Sequence, residues 1–178
     1  MGNRDLIVAT APSKQFMGAY PWEAAFDSQN RMAIGFAAFT PGGRFPYLYR
    51  DIYSKQAMYS YDYVLSELYT QAFAPAFDSY DNIYFADMNY GRVLVYNKHF
   101  DTDRVADFVL GQPSFYEGMI KEKTSFKVAN PSGVAVDRSV SPNRVLVADG
   151  ENSRILGYSS LGVCQDNPAK PCTTDLDC

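Results

Sequence analysis

The apolar residues of this chain fall in short runs separated by polar turns. Near residue 130 three runs follow one another, at residues 131–137, 143–149 and 154–158, and Asn, Asp, Gly or Ser bounds each of them. They are rich in Val, Ile, Leu and Tyr, and short runs of this kind are typical of β-strands. This part of the chain therefore predicts three consecutive strands joined by tight turns.

The same arrangement occurs twice earlier in the chain. When the Asp that ends each first strand is aligned, Asp27, Asp78 and Asp137 lie 51 and 59 residues apart, and an Ala precedes each Asp by two positions. Periods of this size with short strands indicate the blades of a β-propeller or a related array, because helical solenoids have shorter repeats.

Each repeat predicts four strands. The first strands cover 21–27, 72–78 and 131–137, the second 30–35, 82–87 and 143–149, and the third 45–49, 93–96 and 155–158. A fourth strand is predicted where an Asp precedes an aromatic residue or Leu and then aliphatic residues, at 4–8, 61–65 and 106–113. Pro46 has no amide donor, so the third strand of the first repeat is predicted to be an edge strand or bent.

One segment also fits a different pattern. Between residues 54 and 69 the apolar side chains recur at helical spacing, which is the template of an amphipathic helix. The alignment of three repeats favours a strand at 61–65, and the helix remains an alternative.

Composition and charge narrow the function classes. The chain has 178 residues, 47% of them hydrophobic, which suits a globular fold of one domain or part of a larger one. A net charge of −4 without a basic run disfavours nucleic-acid binding, which needs clustered Lys and Arg. No apolar run approaches the length of a membrane span, and the N-terminus is too polar for a signal peptide. We therefore expect either a cytosolic protein or one whose export signal was removed or lies outside this sequence.

Cysteine is confined to the last part of the chain. Cys164, Cys172 and Cys178 lie in a segment rich in Asp, Asn, Pro and Thr, which has little apolar content to hold it together. A disulfide formed in an oxidising compartment is the expected remedy, with three possible pairings and one thiol left for a partner elsewhere. Zinc is the alternative, although the chain has no Cys-x-x-Cys motif.

The third repeat resembles the NHL-repeat family of β-propellers. The phrase Pro131-Ser-Gly-Val-Ala-Val-Asp137, followed by Val147-Ala-Asp149 and Asn152-Ser-Arg-Ile155, is similar to that family's pattern. The phrase Ala106-Asp-Phe-Val-Leu-Gly-Gln-Pro113 and the Cys-rich tail resemble features of large secreted bacterial members. In the second repeat Tyr90 replaces the Asn of the motif, and in the first Phe36 stands where the later repeats have Asp87 and Asp149.

The resemblance implies an all-β chain of about three NHL-like, four-stranded blades within residues 1–160. The expected blade boundaries are about 5–61, 62–106 and 107–160, followed by a Cys-rich loop or tail at 161–178. Complete propellers of this family have about six blades. A stack of three leaves two exposed faces, so we expect a piece of a longer chain, half of a dimer, or a subunit that forms a filament.

Repeated polar residues are the candidate binding site. The second and third repeats keep an Asp and an Arg five positions apart, and the neighbouring polar side chains complete a set of six candidates: Asp87, Tyr90, Arg92, Asp149, Asn152 and Arg154. These residues would line the mouth of a ligand site, or they would support strand-to-strand turns through local hydrogen bonds. Their repetition favours a supporting role.

Evidence for catalysis in the sequence is sparse. The run Asp101–Val105 and the pair Asp175 and Asp177 offer oxygen ligands for calcium, but neither has the spacing of a calcium-binding loop. His99 is the only histidine, and no Gly-x-Ser-x-Gly motif accompanies it. Among enzymes, the family resemblance leaves open a metal-dependent, lactonase-like hydrolase with Asp and Asn ligands at the propeller axis.

Tyrosine is the last distinctive feature. Eleven of the fourteen tyrosines lie between Tyr47 and Tyr96, where they would either form a binding surface or fill half-buried strands. We therefore expect a non-catalytic module, extracellular or on the cell surface, that recognises protein or glycan without a cofactor or a transmembrane segment.

Overall fold

The structure is a computed structural model. It describes residues 19–38, 46–51, 62–65, 72–116, 127–159, 163–164 and 167–171. The expectation of an all-β chain is confirmed, since every regular element in these ranges is a β-strand or a single 3₁₀ turn.

The first two units are antiparallel four-stranded arrangements. Each is a simple succession of neighbouring strands in which the fourth strand pairs with the third. The strands of unit 1 are β1 (Ala19–Phe26), β2 (Met32–Ala38), β3 (Tyr47–Tyr49) and β4 (Tyr63–Val64). The strands of unit 2 are β5 (Ala72–Phe77), β6 (Ile83–Asp87), β7 (Arg92–Tyr96) and β8 (Phe108–Leu110).

A single bridge joins these two units. Phe36 of β2 pairs with Ala72 of β5, and this contact makes the two arrangements one eight-stranded sheet. The third unit is a separate antiparallel sheet, in the order β11-β10-β9, with β9 (Pro131–Asp137), β10 (Arg144–Asp149) and β11 (Arg154–Ser159). A short hairpin, β12 (Val163–Cys164) and β13 (Asn167–Pro171), follows.

The predicted strands agree with the observed ones to within a few residues. All nine predicted first, second and third strands occur, and β4 and β8 lie inside two of the predicted fourth strands. The expected boundaries put these two strands at the start of the second and third blades, whereas β4 pairs with β3 of unit 1 and β8 pairs with β7 of unit 2. The remaining fourth strand, at 4–8, lies outside the described residues. So does most of the segment with helical spacing, but Tyr63 and Val64 within it are in β4.

The expectation that Pro46 makes this strand an edge strand was wrong. β3 begins after this residue, at Tyr47, and pairs with β2 on one side and β4 on the other. Because Pro46 stands before the strand, its missing amide removes no hydrogen bond from the sheet.

The Asp that ends each first strand closes the turn to the second. Asp78 Oδ1 accepts hydrogen bonds from the amides of Tyr80 and Asn82, both at 2.9 Å. Asp27 repeats this arrangement with the amides of Gln29, at 2.9 Å, and Arg31, at 2.8 Å. Short Asp side chains stabilise turns in this way, which explains why Asp recurs at this position.

Unit 2 is packed between the other two units. Side chains alternate along a strand, so β6 and β7 each present one set to unit 1 and one set to unit 3. The set facing unit 1 comprises Ile83, Phe85, Leu94 and Tyr96 and forms a cluster with Ala33, Leu48 and Leu65. The set facing unit 3 comprises Tyr84, Ala86, Val93 and Val95 and forms a cluster with Val134, Val145 and Val147. Both faces of unit 2 are therefore buried.

The predicted disulfide remains a prediction. The backbone of Cys164 is in β12, but its side chain, Cys172 and Cys178 lie outside the described part of the chain.

Candidate functional site

The six predicted binding residues fall in two separate turns. Asp87, Tyr90 and Arg92 belong to the turn between β6 and β7, and Asp149, Asn152 and Arg154 belong to the turn between β10 and β11. Each turn is a single 3₁₀ turn that ends on a left-handed residue, Gly91 with φ 61° or Ser153 with φ 51°.

In unit 2 the Asp and Arg form a buried ion pair. Arg92 Nε donates to Asp87 Oδ2 at 2.8 Å, and neither side chain is exposed by more than 2%. The guanidinium also donates to the carbonyl of Phe115 and lies 4.7 Å from the centre of the Tyr90 ring. Arg92 therefore ties the β6–β7 turn to the segment that leaves β8.

In unit 3 the equivalent Asp is surrounded by donors. Asp149 Oδ1 accepts from the amide of Ala129 at 2.7 Å, and Oδ2 accepts from Asn152 Nδ2 at 2.9 Å and from Arg154 Nε at 2.7 Å. Burial by itself would raise the pKa of Asp149, but these hydrogen bonds hold the pKa below its ordinary value. The oxygens of this carboxylate therefore accept hydrogen bonds from donors within the protein.

Both ion pairs act as supports for the chain between units 2 and 3. Arg154 completes the second one by donating from Nη2 to the carbonyl of Lys127 at 2.6 Å. Asp149 accepts three hydrogen bonds, which use most of the acceptor capacity of a carboxylate. The contacts that are described are those expected of a supporting role, and the six residues lie in two separate turns.

The calcium candidates are only partly described. In the run at 101–105, Asp101 pairs with Arg31 at 3.1 Å and Asp103 Oδ1 accepts from the amide of Val105 at 2.9 Å. Asp175 and Asp177 lie outside the described residues. In the ranges that the structure describes, no three His, Cys, Asp or Glu side chains are grouped as metal ligands.

A cleft lies between units 1 and 2, and we call it the junction cleft. Its volume is about 360 Å³, and residues from the ends of β3 and β4 and from the β7–β8 loop line it: Arg50, Asp62, His99, Phe100, Thr102, Asp103 and Arg104. The sequence singled out His99 and part of this loop for other reasons. It gave no signal for the cleft itself, because Arg50 and Asp62 are far from the loop in sequence.

An aromatic ring and two guanidinium groups organise the junction cleft. The guanidinium carbon of Arg31 lies 4.4 Å from the centre of the Phe100 ring, and that of Arg50 lies 5.7 Å from it. Arg50 also donates to the carbonyl of Phe100, and the Arg50 amide donates to Asp62 Oδ2 at 2.7 Å. These contacts hold the buried Phe100 ring close to two guanidinium groups.

His99 is a neutral part of the cleft wall. Its ring centre lies 4.1 Å from that of Phe100 and 6.1 Å from that of Phe77. Burial, reinforced by the positive charge of Arg31, lowers the pKa of His99 to about 3. The imidazole is therefore uncharged at neutral pH.

The cleft offers a particular set of contacts to a ligand. Its wall contains a hydroxyl, two carboxylates and two guanidinium groups, so donors and acceptors of both charges are present, while the rings of Phe100 and His99 are 2% and 3% exposed. An uncharged polar molecule can use such a mixture better than an ion of one sign, because neither sign of charge dominates the wall.

Three of the eight tyrosines whose burial is described are in the core, and three more are half-buried. Tyr49, Tyr84 and Tyr96 are fully buried, whereas Tyr80 is 41% exposed and Tyr116 is 91% exposed. Tyrosine here mainly fills the strands, as β-propensity leads one to expect.

Comparison with known proteins adds no relative. A scan against protein-family models found no match, and a search of curated proteins found none either. Within the described residues, no helix has the length and apolar character that crossing a bilayer requires.

Proposed function

We propose that this chain is a non-catalytic, extracellular binding or structural module that recognises a glycan or a polar protein segment at the junction cleft. The observation that carries the proposal is the polar lining of the junction cleft, in which Thr102, Asp103 and Arg104 are exposed in front of the buried Phe100 ring. A preformed cleft with several convergent polar groups is a general kind of ligand site.

The fold that we propose is a partial propeller of NHL-like blades. The motif phrases of the third repeat and the succession of antiparallel units, each packed face to face on the next, support it. A rigid stack of this kind presents loops at the strand ends, and recognition in repeat folds commonly uses such loops.

The contacts of the repeated Asp and Arg favour a binding function over a catalytic one. Asp87 and Asp149 accept hydrogen bonds from neighbouring side chains, and Asp149 accepts one more from a backbone amide. These carboxylates bind donors within the protein, whereas Thr102, Asp103 and Arg104 in the cleft wall are exposed.

The size of the cleft limits the ligand. A volume of about 360 Å³ lies at the small end of the range of about 300–1,000 Å³ for ligand sites. We therefore expect the cleft to take one or two sugar rings, or a few side chains of a protein, and to bind weakly unless several copies act together.

A binding screen with matched variants tests the proposal. The wild-type protein is applied to arrays of glycans and of short peptides, together with a cleft variant, Thr102→Ala with Arg104→Ala, and a control variant, Ser132→Ala with Arg138→Ala. All four of these residues are exposed, and each variant removes one hydroxyl and one guanidinium. We expect a ligand that binds the wild type and the control but binds the cleft variant at least about 10-fold more weakly.

The alternative, a metal-dependent lactonase-like hydrolase, is tested in parallel. The same protein is incubated with simple lactones and Ca²⁺ or Mn²⁺. Turnover that depends on the metal and is lost in Asp149→Asn would contradict the proposal and favour the hydrolase.

A further inference from the structure

The two ends of the stack of units carry surfaces that match the internal junctions. In unit 2 the side chains that face unit 3 include Tyr84 and Val93, both with no exposed surface. Aligning Asp149 with Asp87 and Arg154 with Arg92 gives Leu146 and Ile155 as the equivalent residues of unit 3. These are 40% and 65% exposed. We call this surface of β9, β10 and β11 the trailing face.

Unit 1 carries the complementary end. Phe77 of β5 is packed toward unit 1 and is 4% exposed, while Phe26, at the same position in β1, is 45% exposed. Ala24 of β1 is exposed as well. Met32, Ile34 and Tyr49 of this unit are already buried, so the open part of this end is β1. We call it the leading strand.

The first strand of a unit is the element that makes each junction. β5 packs against β1 and β2 of unit 1, and β9 packs against β5, β6 and β7 of unit 2. A single strand thus crosses several strands of the preceding unit. The leading strand alone can therefore cover the trailing face of another copy, although the other apolar residues at this end of unit 1 are already buried.

A hydrogen bond repeats at each internal junction. The residue after the closing Asp donates its amide to the side chain before the second strand of the next unit. Ser28 N donates to Asp81 Oδ1 at 2.8 Å, and Ser79 N donates to Asn143 Oδ1 at 2.8 Å. At the two ends the same positions are the amide of Arg138 and the side chain of Asn30, both on exposed residues.

We propose that the trailing face of one copy of this chain binds the leading strand of a second copy. Phe26 and Ala24 of the second copy pack on Leu146 and Ile155, and the Arg138 amide donates to Asn30 Oδ1. Because each copy has one surface of each kind, two copies close a ring through two such contacts when the rotation permits, and otherwise the contact repeats. This contact does not involve the junction cleft, so it stands or fails separately from ligand binding.

Charge substitutions on the two surfaces test the proposal. Ile155→Asp and Phe26→Asp are compared with wild type and with Tyr116→Asp, a control at a residue that is 91% exposed. Sedimentation velocity is run over a wide concentration range with reductant present. We expect the wild type and the control to associate, and each surface variant to associate at least about 100-fold more weakly, because an Asp would be buried against apolar side chains.

Mixing the two variants distinguishes this contact from others. Phe26→Asp keeps an intact trailing face and Ile155→Asp keeps an intact leading strand, so an equimolar mixture regains one contact. We expect the mixture to associate more strongly than either variant alone. Circular dichroism and urea unfolding of each variant establish that it is folded.

Three results would overturn the proposal. The first is a wild-type protein that stays monomeric at every concentration. The second is association that both substitutions leave unchanged. The third is an effect of Ile155→Asp alone with no recovery on mixing, which would mean that two trailing faces bind each other.

Discussion

At the scale of single residues, the Asp and Arg that recur in the sequence form ion pairs inside the protein. Arg92 is 2% exposed and pairs with Asp87, which has no exposed surface, whereas the Arg154 side chain is 21% exposed. The same motif is therefore present once in a fully buried form and once nearer to solvent. This difference within one chain permits a direct comparison of the two ion pairs.

Removing each Arg should have unequal effects. Arg92→Ala leaves Asp87 buried without its ion-pair partner, and such a loss costs about 3–5 kcal/mol of unfolding free energy. In Arg154→Ala, Asp149 keeps its bonds to Ala129 and Asn152, so we expect roughly 1–2 kcal/mol. Urea unfolding of both variants measures the difference, and equal losses would contradict the assignment.

His99 should make stability depend on pH. The unfolded chain binds a proton at this residue near pH 6.5, but in the folded protein burial lowers the pKa to about 3. The contribution of neutral His99 to the free energy of unfolding is therefore complete above pH 6.5 and is lost as the pH falls from there toward 3. Between pH 7.5 and 5.0 we expect a loss of about 2 kcal/mol. Urea midpoints measure it, with His99→Gln as the control that should lack this loss.

At the scale of elements, the strands could be predicted because their signals are local. Each signal lies within a few residues: an Asp ends each first strand, an Ala stands two positions before it, and the second strand is rich in residues that favour strands. The junction cleft could not be predicted in this way. It joins Arg50 and Asp62 to a loop that begins more than 30 residues later, and only the packing of unit 1 on unit 2 brings them together.

The junction hydrogen bonds are an intermediate case. Their acceptors, Asp81 and Asn143, occupy the same place before the second strand, and Asn30 occupies it in unit 1. Alignment shows that all three are Asp or Asn. The sequence does not show that the partner lies in the preceding unit, because local turns favour the same residues.

Replacing Asn143 should loosen unit 2 from unit 3. Asn143 is 3% exposed, accepts from the Ser79 amide and donates from Nδ2 to the carbonyl of Val140 at 2.9 Å. Asn143→Leu leaves both partners without this side chain, so we expect a loss of about 1–3 kcal/mol. Asn143→Asp keeps the acceptor and should lose less. Thermal unfolding that ranks the two variants the other way would count against the contact.

At the scale of the whole molecule, unit 2 is enclosed and the ends are open. The strands β6 and β7 are buried on both faces, whereas β10 alternates between buried and exposed residues. A strand that is buried on both faces has apolar residues without alternation, so the apolar runs of β6 and β7 mark the central unit of the stack. It also accounts for exposed apolar residues such as Ile155, which a further unit would cover.

The central claim is that the same contact joins unit 1 to unit 2 and unit 2 to unit 3, and that its two halves are exposed on units 1 and 3. Amide hydrogen exchange of the wild-type protein, resolved by residue with NMR, tests it most directly. In dilute solution we expect slow exchange at Ser28 and Ser79, although both lie in exposed turns, and fast exchange at Arg138. Raising the concentration should slow Arg138 as copies associate. Equal and fast exchange at all three amides would contradict the account.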